Sequence, residues 1–149
     1  MYKLKTIILT LFLLLISTSV MAASSAIQNH YKLGGLHRLE IVWTAHTTGA
    51  FTSLTTHQIN GLVFGVETDP GTTAPTDNYN ITLTDQYDLD IMGGSLTNRD
   101  TANTEFMQPY NSVQGSYLSM PVHGALTLAI SGNSQNGATG KVIIYYFAK

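Results

Sequence analysis

After the first 22 residues, apolar and polar side chains alternate with a period of two in short runs, the signature of half-buried β-strands. Across residues 37–46, Leu39, Ile41 and Trp43 share one face while Arg38, Glu40, Val42 and Thr44 share the other. Residues 58–68 place Leu62, Phe64 and Val66 together, with Gly61 and Gly65 between them. Glycine inside a strand marks a bulge or a close backbone approach. Residues 78–84 turn Tyr79, Ile81 and Leu83 inward, and residues 125–131 put Leu126, Leu128 and Ile130 on one face. Shorter strands are predicted over 88–92 (Leu89, Ile91), 104–108 and 117–122. Residues 141–147 are apolar on both faces, which suits a central strand or one covered by a partner. Breakers separate the runs: Asp69-Pro70-Gly71, Gly93-Gly94, Asn111-Ser112 and the tract 131–140. No run after Ala22 has helical spacing. Seven to nine short strands of this kind predict an all-β antiparallel β-sandwich, jelly-roll or immunoglobulin-like.

The first 22 residues read differently. Lys3 and Lys5 precede an apolar run from Ile7 to Ile16, and Val20-Met21-Ala22 offers small residues where a signal peptidase cuts. The run is about ten residues, short of the roughly 20 that span a bilayer. Residues 1–22 are therefore expected to be a signal peptide cleaved after Ala22, with an uncleaved anchor as the lesser alternative, touching membrane only before cleavage, and the product to be exported to periplasm, cell surface or medium. Residues 23–36 read as a polar N-terminal arm, free or paired with a neighbouring subunit, and residues 37–149 as the β-sandwich domain.

Composition sharpens this picture mostly by exclusion. The sequence has no cysteine, so disulfides, thiol nucleophiles and cysteine-ligated zinc are impossible. Its 20 threonines favour a pleated, half-exposed surface. Removing Lys3 and Lys5 leaves five basic residues of the seven against nine acidic ones, a formal charge of −4 where the whole chain has −2. That balance supplies no basic field for nucleic acid.

Candidate chemistry is sparse. Asp85, Asp88 and Asp90 offer hard oxygen ligands that suit calcium, but the EF-hand pattern is absent and Asp85-Gln86-Tyr87-Asp88 is also a natural turn, the stronger reading. Histidines 30, 37, 46, 57 and 123 form no H-E-x-x-H motif, and His37 and His46 are expected on opposite faces of one strand. Gly93-Gly94-Ser95-Leu96 is not a nucleophile elbow, which needs glycines on both sides of the serine and a strand-to-helix context. Arg99 beside Asp100 suggests an ion pair pinning a loop. No nucleophile–base pair and no cofactor site is recognisable, so a non-enzyme is expected. The eight tyrosines and single tryptophan suit interfaces or sugar stacking. Tyr145, Tyr146 and Phe147 close the chain's last apolar run, and Tyr145 and Phe147, on one face of it, are the candidate self-association residues.

The stretch from Thr68-Asp69-Pro70-Gly71 through Asp77-Asn78-Tyr79-Asn80-Ile81-Thr82-Leu83-Thr84-Asp85 resembles small structural proteins of tailed bacteriophages. So do Asn98-Arg99-Asp100-Thr101-Ala102-Asn103-Thr104-Glu105 and the closing Gly140-Lys141-Val142-Ile143-Ile144-Tyr145-Tyr146. The resemblance implies a virion-associated β-sandwich with a structural or decorating role and no catalytic residues. The leader departs from it, because head and tail proteins of those phages assemble in the cytoplasm. Two expectations follow: an exported, self-associating subunit of a virion or surface assembly, or an exported glycan-binding module that stacks sugars on Trp43 and exposed tyrosines.

Overall fold

The computed structural model describes residues 23–149, so the expected signal peptide and its expected cut after Ala22 lie outside the described residues. Alternation becomes structure most simply in β2 (Leu36–Thr44), where Leu39, Ile41 and Trp43 are buried and their neighbours are not. Full burial of such side chains stabilises by about 1.5–3 kcal/mol each. Ten further strands complete the described residues: β1 (Ser25–Leu33), β3 (Leu54–Thr55), β4 (Ile59–Pro70), β5 (Asn80–Thr84), β6 (Glu105–Met107), β7 (Tyr110–Asn111), β8 (Ser116–Tyr117), β9 (Met120–Gly124), β10 (Thr127–Ser131) and β11 (Thr139–Ala148). These described residues contain no helix and are all-β, and every strand pairing among them is antiparallel.

A six-stranded sheet runs β1-β2-β11-β4-β6, with β9 also paired to β4; a three-stranded sheet runs β3-β10-β5. A single core cluster draws on both. Leu39, Ile41, Trp43, Val142, Ile144, Val63 and Val66 come from the larger sheet, and Ile81, Leu83, Leu128 and Ile130 from the smaller. Strand β11 is central, paired along its two edges with β2 and β4; Val142, Ile144 and Tyr146 of its inward face are buried, and so is Ile143 on its outward face. Thr56, directly after β3, ties that end of the strand to the entry of β10. Its hydroxyl donates to the His57 carbonyl and accepts from the Leu126 amide, each at 2.9 Å.

Four expectations are corrected here. The arm over residues 23–36 is not separate: Ser25–Leu33 pairs along its whole length with β2 of the same chain. It folds back through a two-residue turn, Gly34-Gly35, with Gly34 at φ +60°. The fit is local, since a glycine at the first central position satisfies a type II′ hairpin turn. Second, Leu62 and Phe64 do not share the buried face with Val66. The β4–β11 register shifts between Tyr145 and Tyr146, leaving Phe64 as the extra residue of a bulge. Before the bulge Ile59 and Val63 point inward and Leu62 is 38% exposed; after it Val66 and Thr68 are buried. Third, 88–92 is a turn rather than a strand, holding one isolated bridge, Thr84 to Asp90. Fourth, His46 lies beyond the end of β2 rather than within it.

Candidate interaction surface

Because side chains alternate across a pleated sheet, the register assigns each residue of the six-stranded sheet to a face. The inward face carries the core. The outward face carries Ile27, Tyr31 and Leu33 from β1, Leu36, Arg38 and Glu40 from β2, Ile143, Tyr145 and Phe147 from β11, Leu62 and Glu67 from β4, and Phe106 from β6. The bulge adds Phe64. Its ring stacks on Phe147 at 5.0 Å and meets Tyr145 at 6.1 Å, and Phe106 also meets Tyr145 at 6.1 Å. These spacings fall in the range of favourable aromatic pairs.

Gly65 makes room for this arrangement. It lies opposite Tyr145, and a Cβ there would overlap the Phe106 ring, so the absence of a side chain lets the ring lie over the backbone. Phe106 and Phe147 remain about half exposed, at 49% and 53%. Tyr145 is fixed by its hydroxyl, which donates to the Glu67 carboxylate at 3.1 Å. Burial first, and the Glu67 charge second, push its phenol above the ordinary tyrosine range. Toward β1 the aromatic set runs into a hollow of about 370 Å³ lined by Tyr31, Leu33, Leu36, Arg38 and Tyr145. Here the Arg38 guanidinium covers the Tyr31 ring at 4.6 Å and pairs with Glu40. At the opposite end the same face turns polar, with Lys141 paired to Asp69 at 3.2 Å.

The two predicted self-association residues, Tyr145 and Phe147, thus share this surface, while Tyr146 between them points inward and is buried. Its hydroxyl meets His30 Nε2 at 2.7 Å and His37 Nδ1 at 3.4 Å, tying β1, β2 and β11 together. Phe106 completes the surface without being singled out in the sequence, and Phe64 joins it although the alternation placed it on one face with Val66. The available signal was Gly65, whose missing side chain marks the approach of a neighbour.

The remaining candidates resolve into structural roles. Asp85 Oδ1 accepts the Tyr87 and Leu89 amides at 2.8 and 3.0 Å, and Asp88 sits at φ +63°. Asp90 uses both oxygens on backbone: Oδ1 on Met92 at 3.1 Å and Oδ2 on Gly94 at 2.8 Å. The three aspartates therefore build a turn, and no cluster of three metal-ligating side chains occurs among the described residues. Arg99 pairs not with Asp100 but with Glu105, at 3.2 Å, and donates through Nε and Nη2 to the Thr97 carbonyl. Asp100 is taken up by its own loop, accepting from Asn103 Nδ2 and the Ala102 amide, and the Asn103 bond foremost holds its carboxyl below the usual range. Trp43 is fully buried and cannot stack on a sugar.

No family model, curated protein or solved structure matches the chain. Among the described residues no helix is long and apolar enough to cross a membrane.

Proposed function

We propose that this protein is an exported, non-enzymatic structural subunit that self-associates, in a virion or surface assembly of the phage-like kind its sequence resembles. The observation that carries this reading is the outward aromatic surface of Phe64, Phe106, Tyr145 and Phe147. A contiguous apolar area left on a sheet face marks an interaction site, and aromatic residues and arginine are the types enriched in such contacts. The Tyr145–Glu67 bond and the glycine beneath Phe106 support a preformed surface, which limits the entropy lost on docking.

The strand order supports the finer fold reading of a jelly-roll sandwich. The early strands pair with the late ones in nested fashion, β2 with β11, β3 with β10 and β4 with β9, as when a long hairpin is wrapped into two facing sheets. Double-sheet jelly rolls are a common architecture of viral capsid and lectin domains. That association is by fold alone, so the assembly role rests on the surface.

Light scattering and native mass measurement at micromolar concentration test the reading. The expected result is a discrete oligomer that dissociates in Phe147→Glu and Phe64→Glu variants with unchanged strand content. A strict monomer, absent from purified particles, would overturn it.

A further inference from the structure

We propose that two copies of this chain join edge to edge through β1, in antiparallel register centred on Asn29, so that one sheet runs through both. This deepens the self-association reading and rests on it; it names an interface distinct from the aromatic face.

Strand β1 is the outer strand of its sheet, and among the described residues no backbone-to-backbone hydrogen bond reaches its far side. The neighbouring segment is held instead by the inward Gln28 side chain, which donates to the Thr55 carbonyl at 3.0 Å and accepts from the His57 amide at 2.6 Å. Such edges are ordinarily blunted by proline, a bulge, shortness or charge. Here nine residues pair with β2 without a register break, none is proline, and Lys32 alone carries a full charge. Apolar side chains stand out along it instead: Ile27 is 66% exposed, Tyr31 49% and Leu33 77%.

The hairpin determines which groups face the free side. Leu33 and Leu36 flank a two-residue turn and so form a hydrogen-bonded pair, and hydrogen-bonded pairs recur at every second position. Ser25, Ile27, Asn29, Tyr31 and Leu33 therefore spend their amides and carbonyls on β2. Those of Ala26, Gln28, His30 and Lys32 point away from it.

A second copy of β1 matches this edge. With the two-fold axis at Asn29, all nine residues find partners. Gln28 meets His30 of the second copy and Ala26 meets Lys32, each pair exchanging two backbone bonds. On the outward face Ile27 packs on Tyr31 of the second copy, the aromatic–β-branched pairing favoured across antiparallel strands. Lys32 opposes alanine, so no like charges meet. Asn29 faces its own counterpart across a non-hydrogen-bonded position, where Cα atoms approach to about 4.5 Å.

That geometry suits a disulfide, and the chain contains no cysteine to confuse the test. Asn29→Cys in the full-length protein is expected to give a covalent dimer on air oxidation, while Ile27→Cys, opposite tyrosine, stays uncrosslinked. Lys32→Pro removes an outward amide that no strand of its own chain uses. It is expected to weaken dimerisation more than about tenfold while keeping the monomer's spectrum. Ile27→Lys with Tyr31→Lys abolishes the dimer, and Ile27→Lys with Tyr31→Glu restores it in a salt-sensitive form. An oligomer indifferent to all of these would overturn the β1 interface and leave the aromatic-surface reading standing. A chain monomeric throughout would overturn both.

Discussion

Arg99 and Glu105 form an ion pair at 3.2 Å in which the cation is almost wholly buried, its side chain 6% exposed against 30% for the glutamate. The same Glu105 oxygen accepts the Asp100 amide at 2.8 Å, so one carboxylate fixes both ends of the loop that leads into β6. Removing the carboxylate would leave a guanidinium buried with only the Thr97 carbonyl for company.

Glu105→Gln is therefore expected to destabilise the fold by about 2 kcal/mol, less than a fully buried pair because Glu105 is partly solvated. Arg99→Met should cost less, since it removes the charge that needs compensation. Urea unfolding of the two variants checks the order.

Thr56 gives a second test. Thr56→Val keeps the shape but strips the acceptor from the Leu126 amide, leaving a buried donor unpaired at a cost of about 1–3 kcal/mol. Thr56→Ser retains the hydroxyl and is expected to recover most of the loss. Thermal or urea denaturation reads both.

His30 supplies a pH dependence. Desolvation first, then the nearby His37, Lys32 and His57, lower its pKa from 6.5. The unfolded chain therefore binds the proton more readily, and stability is full above pH 6.5 and falls as pH drops from there toward the folded-state value. Melting temperature should decline from pH 7.5 to 5.5, and His30→Asn should flatten that decline. A slope unchanged by the substitution would refute the assignment. Tyr146, which His30 contacts, stays neutral throughout, as an ordinary phenol would, and burial raises its pKa further.

Trp43, the single tryptophan, reports on the core. Its indole lies beside Phe51 and Tyr79, with centroids at 5.9 and 6.2 Å. Trp43→Ala is expected to cost about 3–5 kcal/mol through lost burial and the cavity left behind. In the native protein its emission should resist acrylamide and ignore added oligosaccharides, becoming quenchable only on unfolding.

Calcium should leave the melting temperature unchanged, because Asp85 and Asp90 already satisfy backbone amides. Asp85→Asn, which keeps an acceptor, is expected to be milder than Asp85→Ala. Differential scanning fluorimetry with calcium and with chelator makes the comparison.

The sequence by itself determined the all-β class and most of the inward positions. Leu39, Ile41, Trp43, Tyr79, Ile81, Leu83, Leu126, Leu128 and Ile130 were legible, and all are buried, because parity within one uninterrupted strand is a local property. Tyr145 and Phe147 were legible as a pair on one face for the same reason. Only the tertiary structure decided what depended on a partner strand. The bulge at Phe64 exists because β11 sets the register of β4, and it turns Leu62 outward where unbroken alternation would have buried it. The pairing of β1 follows from its hairpin with β2 rather than from its own polar composition. Arg99 chose Glu105 over its sequence neighbour because β6 brings that carboxylate under the loop. Local alternation fixes faces, whereas registers and ion pairs are set by contacts between segments far apart in the chain.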